Sequence, residues 1–351
     1  MKYVETTVVA IIAAALLGAV CFGTVLPIRG SEDISKLFAD SDVVCRGTVE
    51  GFKITNEEAT THDMIRRSVL ITLLTQRIYK GPAESTIAFT YVVEEPAALT
   101  SAVALHFPKG AHRLLFLKRG ATQFVYTDPY FGEFSPSRII SGLQASGMEL
   151  LEADLEAGLR DPDHERLAEN LVLLMGYPQL HSTSQVAALL TRQSDLGITV
   201  LVHSILLKNH DLSHAIELQD LANQLPDNVP PNFDVAPLLA LISHIRDRSQ
   251  LATLIGLSRT RNVFFRRDAL DALRTLHDDA SIPALVERLD DNDAVVRLTA
   301  IKALAEITGQ EDPAHSPSVP EFEQSQARYV GVWKEWWRQV GRSRYEISKP
   351  N

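Results

Sequence analysis

The chain contains little cysteine and no excess of positive charge. Its 351 residues include two cysteines, Cys21 and Cys45. If the segment around Cys21 is removed, no disulfide can form within the chain. The formal net charge of −10 argues against a general nucleic-acid binder, which normally carries a basic excess. Hydrophobic residues (45%) and charged residues (22%) occur in the proportions of a globular protein, and the length suffices for two domains.

Catalytic and metal-binding motifs are also missing. The sequence has no G-x-S-x-G elbow, P-loop or G-x-G-x-x-G fingerprint. Its eleven histidines form neither H-E-x-x-H nor H-x-H, and His203, His210 and His214 do not have the spacing of metal ligands. Cys45 lies in a β-rich stretch, which indicates a buried, unreactive thiol. We therefore predict no catalytic residues, no metal and no cofactor, and expect that the protein is not an enzyme.

The one long uncharged stretch is at the N-terminus, where residues 6–28 carry no charge and include IIAAALLGAV. The stretch is long for a signal-peptide core and short for a membrane helix. We favour a signal peptide over residues 1–28, with a retained membrane anchor as the alternative. Lipidation at Cys21 comes third, because Val20 stands where a lipobox has Gly or Ala. Each alternative predicts that the rest is exported: secreted, periplasmic, or membrane-anchored and facing outside the cytoplasm.

The first half of the remaining chain has the composition of β-strands, rich in β-branched and aromatic residues. A short helix is predicted over Ser31–Asp40, and the polar stretch Thr55–Asp63 predicts a mobile loop. Several short strands separated by turn residues are typical of a β-sandwich or small barrel. The predicted strands are Asp42–Phe52, Ser68–Tyr79, Ser85–Val93, Arg113–Lys118 and Gln123–Thr127.

Three phrases carry a resemblance: ADSDVVCRGTV, then RIYKG, then KGAHRLLFLK. Together they resemble the OB-fold, netrin/TIMP-like domain of exported bacterial proteins, over residues 31–141. The resemblance implies a small antiparallel OB-like β-barrel. Animal inhibitors of this class use an N-terminal cysteine and disulfides, whereas Cys45 lies within a predicted strand. Their protease-inhibitor activity is therefore not transferred to this chain.

From Met148 onwards the pattern is helical, with short polar breaks as in an α-solenoid. Asn262–Leu276 and Asp293–Ile307 repeat at an offset of 31 residues, the kind of period that marks a stacked repeat. The second copy resembles the short, PBS-lyase-type bacterial HEAT repeat. The matching residues are Leu289, Asp291, Asp293, Val296, Arg297, Ala300, Ala303, Leu304 and Ile307.

Charged residues at fixed repeat positions have two interpretations. We interpret Arg266, Asp291, Asp293 and Arg297 as a ladder that braces neighbouring repeats. The alternative is a row of anion-binding groups along a groove.

All three tryptophans, Trp333, Trp336 and Trp337, lie on one helical stripe. We interpret the stripe as a cap that seals the last repeat. The alternative is an aromatic binding platform, for which these three residues are the candidates.

The sequence thus predicts a multidomain α+β protein: a β-barrel domain over 31–141, a HEAT-like solenoid over 148–341, and a basic tail over 342–351. The predicted function is non-catalytic binding of a protein partner at the cell envelope, without nucleic acid, and with membrane attachment through residues 6–28 if these are retained. The alternative is an inhibitor or enzyme whose active surface is formed by the loops Asn56–Asp63 and Asp128–Phe134, with Tyr130 and Phe131 as candidate contacts.

Overall fold

The computed structural model describes residues 34–61, 64–96, 106–128, 133–143, 145, 147–192, 195–227, 235–312 and 314–345. The chain divides into two compact units, Met1–Val186 and Ala187–Asn351. The proposed signal segment 1–28, the candidate contacts Tyr130 and Phe131, and residues 346–351 of the tail lie outside the described residues. The domain limits taken from the sequence remain a prediction.

The first unit contains a six-stranded sheet. Its strands are β1 (Val43–Thr61), β2 (Met64–Lys80), β3 (Thr86–Pro96), β4 (His112–Arg119), β5 (Phe124–Tyr126) and β6 (Glu133–Phe134). They are arranged β1-β2-β3-β5-β4-β6, with a further pairing of β1 to β4. All pairings are antiparallel except β3–β5, which is a single parallel pair, Phe89↔Phe124. The sheet is therefore not the regular barrel that the sequence predicts, because one residue pair is too few to make a continuous wall.

Alternation along the strands builds the core of this unit. Because successive side chains point to opposite faces, Val69, Ile71 and Leu73 of β2 fall together on the inner face and are fully buried. Burial also raises the pKa of the Cys45 thiol to about 12, so this thiol is protonated and unreactive near neutral pH. The other core residues are Val43, Cys45, Val49, Ile87, Phe89, Phe107, Leu115 and Leu117.

The β1–β2 hairpin is longer than the sequence predicts. The expectation of a loop from Thr55 is wrong as far as Thr61, because β1 stays paired with β2 along this stretch. The strand is polar here, so it lacks the apolar alternation that identifies strands in a sequence. Cross-strand charges help to hold it, since Arg67 Nε lies 2.6 Å from Glu57 Oε1.

Four helices complete the first unit: α1 (Ile34–Asp40), α2 (Gly147–Ala157), α3 (His164–Met175) and α4 (Ser184–Ala187), the last at the division between the units. The carboxylate of Asp163 accepts the backbone N–H groups of Glu165 and Arg166 and so caps α3. The sequence predicts this cap.

Two buried aspartates connect α2 and its C-terminal turn to the sheet and to the segment 135–143. Asp154 is fully buried and accepts hydrogen bonds from Arg77 Nη1 (2.8 Å), Tyr79 Oη (2.7 Å) and both N and Oγ of Ser141. Asp161 accepts from Ser137 Oγ (2.6 Å) and from Arg166. Burial alone would raise the pKa of Asp161, but these hydrogen bonds lower it to about 2. Both carboxylates therefore anchor neighbouring segments within the first unit.

The second unit is helical and has one continuous hydrophobic core. Its long helix α9 packs against α7, α8 and α11, and α10 packs against α11. A five-residue π-helix, Trp337–Gly341, follows α12. The helices are α5 (Leu196–Lys208), α6 (Leu218–Gln224), α7 (Ala236–Ser243), α8 (Leu251–Leu257), α9 (Val263–Leu276), α10 (Ile282–Glu287), α11 (Ala294–Thr308), α12 (Val319–Trp336) and α13 (Arg342–Tyr345).

The two long repeat helices begin at corresponding residues and end in the same backbone conformation. Asn262 caps α9 and Asp293 caps α11, each accepting two backbone N–H groups of the first turn. Both helices end in a left-handed residue, His277 (φ 53°) and Gly309 (φ 72°). The repeat is therefore one of structure as well as of sequence.

Candidate functional site

The two repeats are joined by a bidentate ion pair. Arg266, in α9, donates Nε and Nη2 to the two carboxylate oxygens of Asp291, each over 2.9 Å. Its Nη1 also donates to the backbone carbonyls of Thr260 and Arg261. Both side chains are largely buried, so the pair is held in a fixed geometry. The guanidinium thus connects the turn before its own helix to the turn before the next.

Arg297 occupies the corresponding position one repeat later. Its Nη1 donates to the backbone carbonyls of Asp291 and Asn292, and its Nη2 donates to Gln326 Oε1 over 2.5 Å. Asp293 caps α11, and its N–H donates to Asp291 Oδ1. Asp291 therefore lies at the centre of the four residues, and Arg297 meets an amide where Arg266 meets a carboxylate. These contacts hold polypeptide turns, and all three guanidinium nitrogens of Arg266 already donate within the repeats.

Three further ion pairs connect neighbouring repeats at the surface. Arg248 pairs with Asp278, Arg259 with Glu287 and Arg274 with Glu306, at N–O distances of 2.8, 2.8 and 2.7 Å. The partners are 30, 28 and 32 residues apart, about one repeat. The repeat pattern in the sequence does not predict them. Their only signal is opposite charge at a separation of one period.

The buried pair and a surface pair predict different effects on stability. Replacing Arg266 with Met leaves the buried Asp291 with the Arg288 guanidinium, 3.6 Å away, as counter-charge. The charge is then only partly compensated, so we expect the free energy of unfolding of the second unit to fall by about 2 kcal/mol, less than for a fully unpaired buried charge. Arg259→Met removes a solvent-exposed pair of similar geometry and should cost less than about 1 kcal/mol. Urea unfolding followed by tryptophan fluorescence measures both, because all three tryptophans lie in the second unit. Equal effects would contradict the bracing role.

The side of α9 and α11 that faces away from the core carries a group of exposed and half-buried side chains. We call it the outer stripe, made of Phe264, Arg267, Val295, Thr299 and Lys302. Phe264 is half-buried, with the Arg267 guanidinium 5.7 Å from its ring centroid. Val295 occupies the corresponding position on α11 and is 53% exposed. The stripe mixes apolar and charged groups, as the surfaces of non-obligate protein interfaces do.

The candidate tryptophans differ in exposure. Trp333 is fully buried, and its indole N–H donates to the backbone carbonyl of His315 over 2.8 Å. Trp336 and Trp337 are half-buried and pack against the same core, with Trp336 edge-on to Trp333 at 5.1 Å between ring centroids. A fully buried ring offers no surface to a ligand. Of the three, only Trp336 and Trp337 present part of a ring to solvent.

A polar and aromatic cluster lies in the first unit. The Glu133 carboxylate accepts hydrogen bonds from His106 Nε2 (3.0 Å), Arg113 Nε (2.5 Å) and Tyr126 Oη (2.5 Å). The His106 ring stacks on Tyr91 at 5.6 Å. Burial would raise the pKa of Glu133, but these three partners lower it, so the group stays ionised. Burial of the Tyr126 ring raises the pKa of its hydroxyl, and the nearby Glu133 carboxylate raises it further.

The cluster lies at the end of Asp128–Phe134, a stretch that the sequence singles out through its aromatic residues. The sequence does not single out Glu133 itself, because a lone glutamate carries no recognisable spacing. An imidazole paired with a carboxylate is a component of acid–base sites, and His106 is half exposed. No described residue places a serine, cysteine or threonine hydroxyl or thiol against this pair. Nor do the described residues include a group of three metal-ligating side chains.

Comparison with known families bears on the second unit. Residues 220–310 match the family model of HEAT repeats. This segment of the chain is therefore similar to HEAT repeats. The match runs from α6 to just beyond α11, so it includes both copies recognised in the sequence and the helices α7 and α8 before them. The outer stripe and the Arg266–Asp291 pair lie within the HEAT segment. No curated protein matches the chain.

Among the helices that the structure describes, none combines the length and apolar composition that a membrane span needs. Residues 6–28 are not among them.

Proposed function

We propose that this chain is a non-catalytic scaffold that binds a protein partner through its HEAT repeats. The observation that supports this most directly is the match of residues 220–310 to HEAT repeats. Stacked repeats present extended surfaces and commonly mediate protein interactions. The buried charges of the repeats are used within the stack, as the Arg266–Asp291 pair illustrates. The side chains available to a partner are therefore the exposed ones, led by the outer stripe.

The proposed location is the cell envelope. The uncharged stretch over residues 6–28 supports export, and an acidic, cysteine-poor chain is compatible with it. We also infer that the first unit is an irregular OB-like domain. The strand order β1-β2-β3-β5-β4 with return pairing to β1 supports this, because an OB-fold is a five-stranded, partly open barrel. The short β3–β5 contact is the departure from it.

Substitutions on the outer stripe test the scaffold proposal. Val295→Arg and Lys302→Glu change exposed positions, so we expect folding to be preserved and partner binding to fall at least about tenfold, as for interface hot spots. The measurement is a pull-down of the exported chain from envelope extracts, with quantitative mass spectrometry of the partner. Ile216→Arg is the matched control, since Ile216 is also exposed (58%) and lies outside the HEAT match. A partner retained equally by all variants would contradict the proposed surface.

A second function, an inhibitor or enzyme acting through the β unit, is favoured by the Glu133 cluster alone. His106→Gln separates it from the scaffold proposal. This change should abolish any inhibition or turnover of a peptide or glycan panel, and leave partner capture by the HEAT segment unchanged.

A further inference from the structure

The outer edge of the β1–β2 hairpin is open. Strand β4 pairs with β1 only from Val43 to Thr48, and the last backbone contact on that edge joins Val49 to Gly110 and Ala111. Beyond Val49, β1 pairs with β2 alone among the described residues. Residues 52–59 are exposed throughout. An open strand edge presents unpaired N–H and C=O groups, and natural proteins protect or use such edges.

Two apolar side chains mark this edge. Phe52 is 38% exposed and Ile54 is 37% exposed. Their cross-strand partners are the buried residues Ile71 and Val69, so they continue the inner face of the sheet outward. An added strand would cover them as well as satisfy the backbone groups.

The edge carries a positive and a negative side chain that complement those of a second, antiparallel copy of the same edge. Lys53 pairs across the sheet with Leu70, and Glu58 pairs with Arg66. Leu70 and Arg66 are an even number of residues apart on β2, so Lys53 and Glu58 lie on the same face. Lys53 forms no ion pair within the described part of the chain, and Glu58 accepts only from the neutral amide of Asn56.

We propose that two copies of this chain associate through the β1 edges, antiparallel, with Lys53 of one copy opposite Glu58 of the other. This register also places Phe52 opposite Ala59 and Ile54 opposite Glu57. The two residues of each pair lie on the same face of the sheet. This is so because the β-bulge between Ile54 and Asn56 shifts the alternation of side chains between the two faces by one residue in both copies. The register with Lys53 at the symmetry axis places two lysines together and is disfavoured.

The two-fold arrangement forms the Lys53–Glu58 contact twice. The hairpins of both copies then make one continuous sheet in which each supplies β1, β2 and β3. This inference is independent of the HEAT surface and of the Glu133 cluster, because it uses neither.

Complementary charge reversals test the pairing. Sedimentation velocity of the full chain, up to about 0.5 mM because an interface this small is weak, should show concentration-dependent dimers for the wild type. Lys53→Glu and Glu58→Lys should each weaken self-association at least about tenfold, since like charges then meet twice. An equimolar mixture of the two variants should recover dimers, because each substituted position meets the opposite charge on the other chain.

The controls keep the test decisive. Lys118→Glu reverses an exposed charge on β4 beside the opposite end of β1, next to the Val43–Leu117 pair, and should leave association unchanged. Circular dichroism of each variant checks folding, and Lys53→Gln gives a neutral version if a reversal disturbs the hairpin. A wild type that stays monomeric overturns the proposal. So does a dimer that is indifferent to both reversals, or a mixture that associates no better than either variant alone.

Discussion

Replacing Trp333 with Ala should lower the free energy of unfolding of the second unit by about 3–5 kcal/mol, the range for removing a large buried aromatic side chain. The ring is fully buried in the helical core. The substitution also leaves the carbonyl of His315 without its indole donor, which adds an unsatisfied group. Urea unfolding followed by the fluorescence of Trp336 and Trp337 measures the change.

The same helical end provides graded comparisons. Trp336→Ala should cost less than Trp333→Ala, because Trp336 is only half-buried. Val340→Ala should change stability by no more than about 0.5 kcal/mol, since Val340 is 49% exposed. If Trp333→Ala and Val340→Ala had the same effect, the buried ring would not be the cap of the stack. Loss of partner binding with unchanged stability in Trp336→Ala would instead favour an aromatic platform.

The HEAT segment could be predicted from the sequence because its constraints recur. Each repeat needs small alanines where helices approach, an apolar stripe, and a polar cap before the long helix. These appear as Ala269 and Ala300, and as Asn262 and Asp293, at an offset of 31 residues. Repetition lets one copy support the interpretation of the next. Both long helices lie where the repeat predicts them.

The β hairpin could not be predicted in the same way. Residues 55–61 are polar on both faces, so period-two alternation gives no signal there. The strand persists because β2 supplies a partner, and contacts such as Arg67 with Glu57 form only once the two strands are aligned. Composition alone therefore predicts a mobile loop here. Pairing with a distant segment overrides local preference in strands more than in helices.

The buried polar contacts lie beyond any local pattern. Arg77 and Tyr79 reach Asp154 across 77 and 75 residues of sequence, and nothing at either end indicates the partner. The Glu133 cluster is similar, because Arg113 and His106 come from separate segments. Sequence spacing reveals sites whose residues share one helix or one turn. Sites assembled from several segments require the fold.

The contacts of Asp154 also bear on where the first folding unit ends. Arg77 and Tyr79 lie on β2, whereas the Asp154 carboxylate lies on α2. A β domain ending at residue 141 would therefore separate them from this carboxylate. Their burial without a counter-charge would be costly. The division of the chain at Val186 keeps them together, and we therefore expect α2 and α3 to fold with the sheet.

Asp154→Ala should therefore destabilise the first unit by about 3 kcal/mol or more, as for removal of one partner from a buried ion pair. Tyr79 and Ser141 lose their acceptor as well, and each unsatisfied buried group adds to the cost. Hydrogen exchange with mass spectrometry locates the effect. Peptides from β2 (Met64–Lys80) and from residues 137–143 should lose protection, while peptides from α11 should not change.

Glu149→Ala is the matched control, because Glu149 is an exposed carboxylate on the same helix, α2. It should leave exchange in β2 unchanged, since exposed substitutions away from buried contacts usually change stability by less than about 0.5 kcal/mol. Protection of β2 that survives Asp154→Ala would show that the sheet folds without the helices. The first folding unit would then end before α2, as the domain limit predicted from the sequence has it.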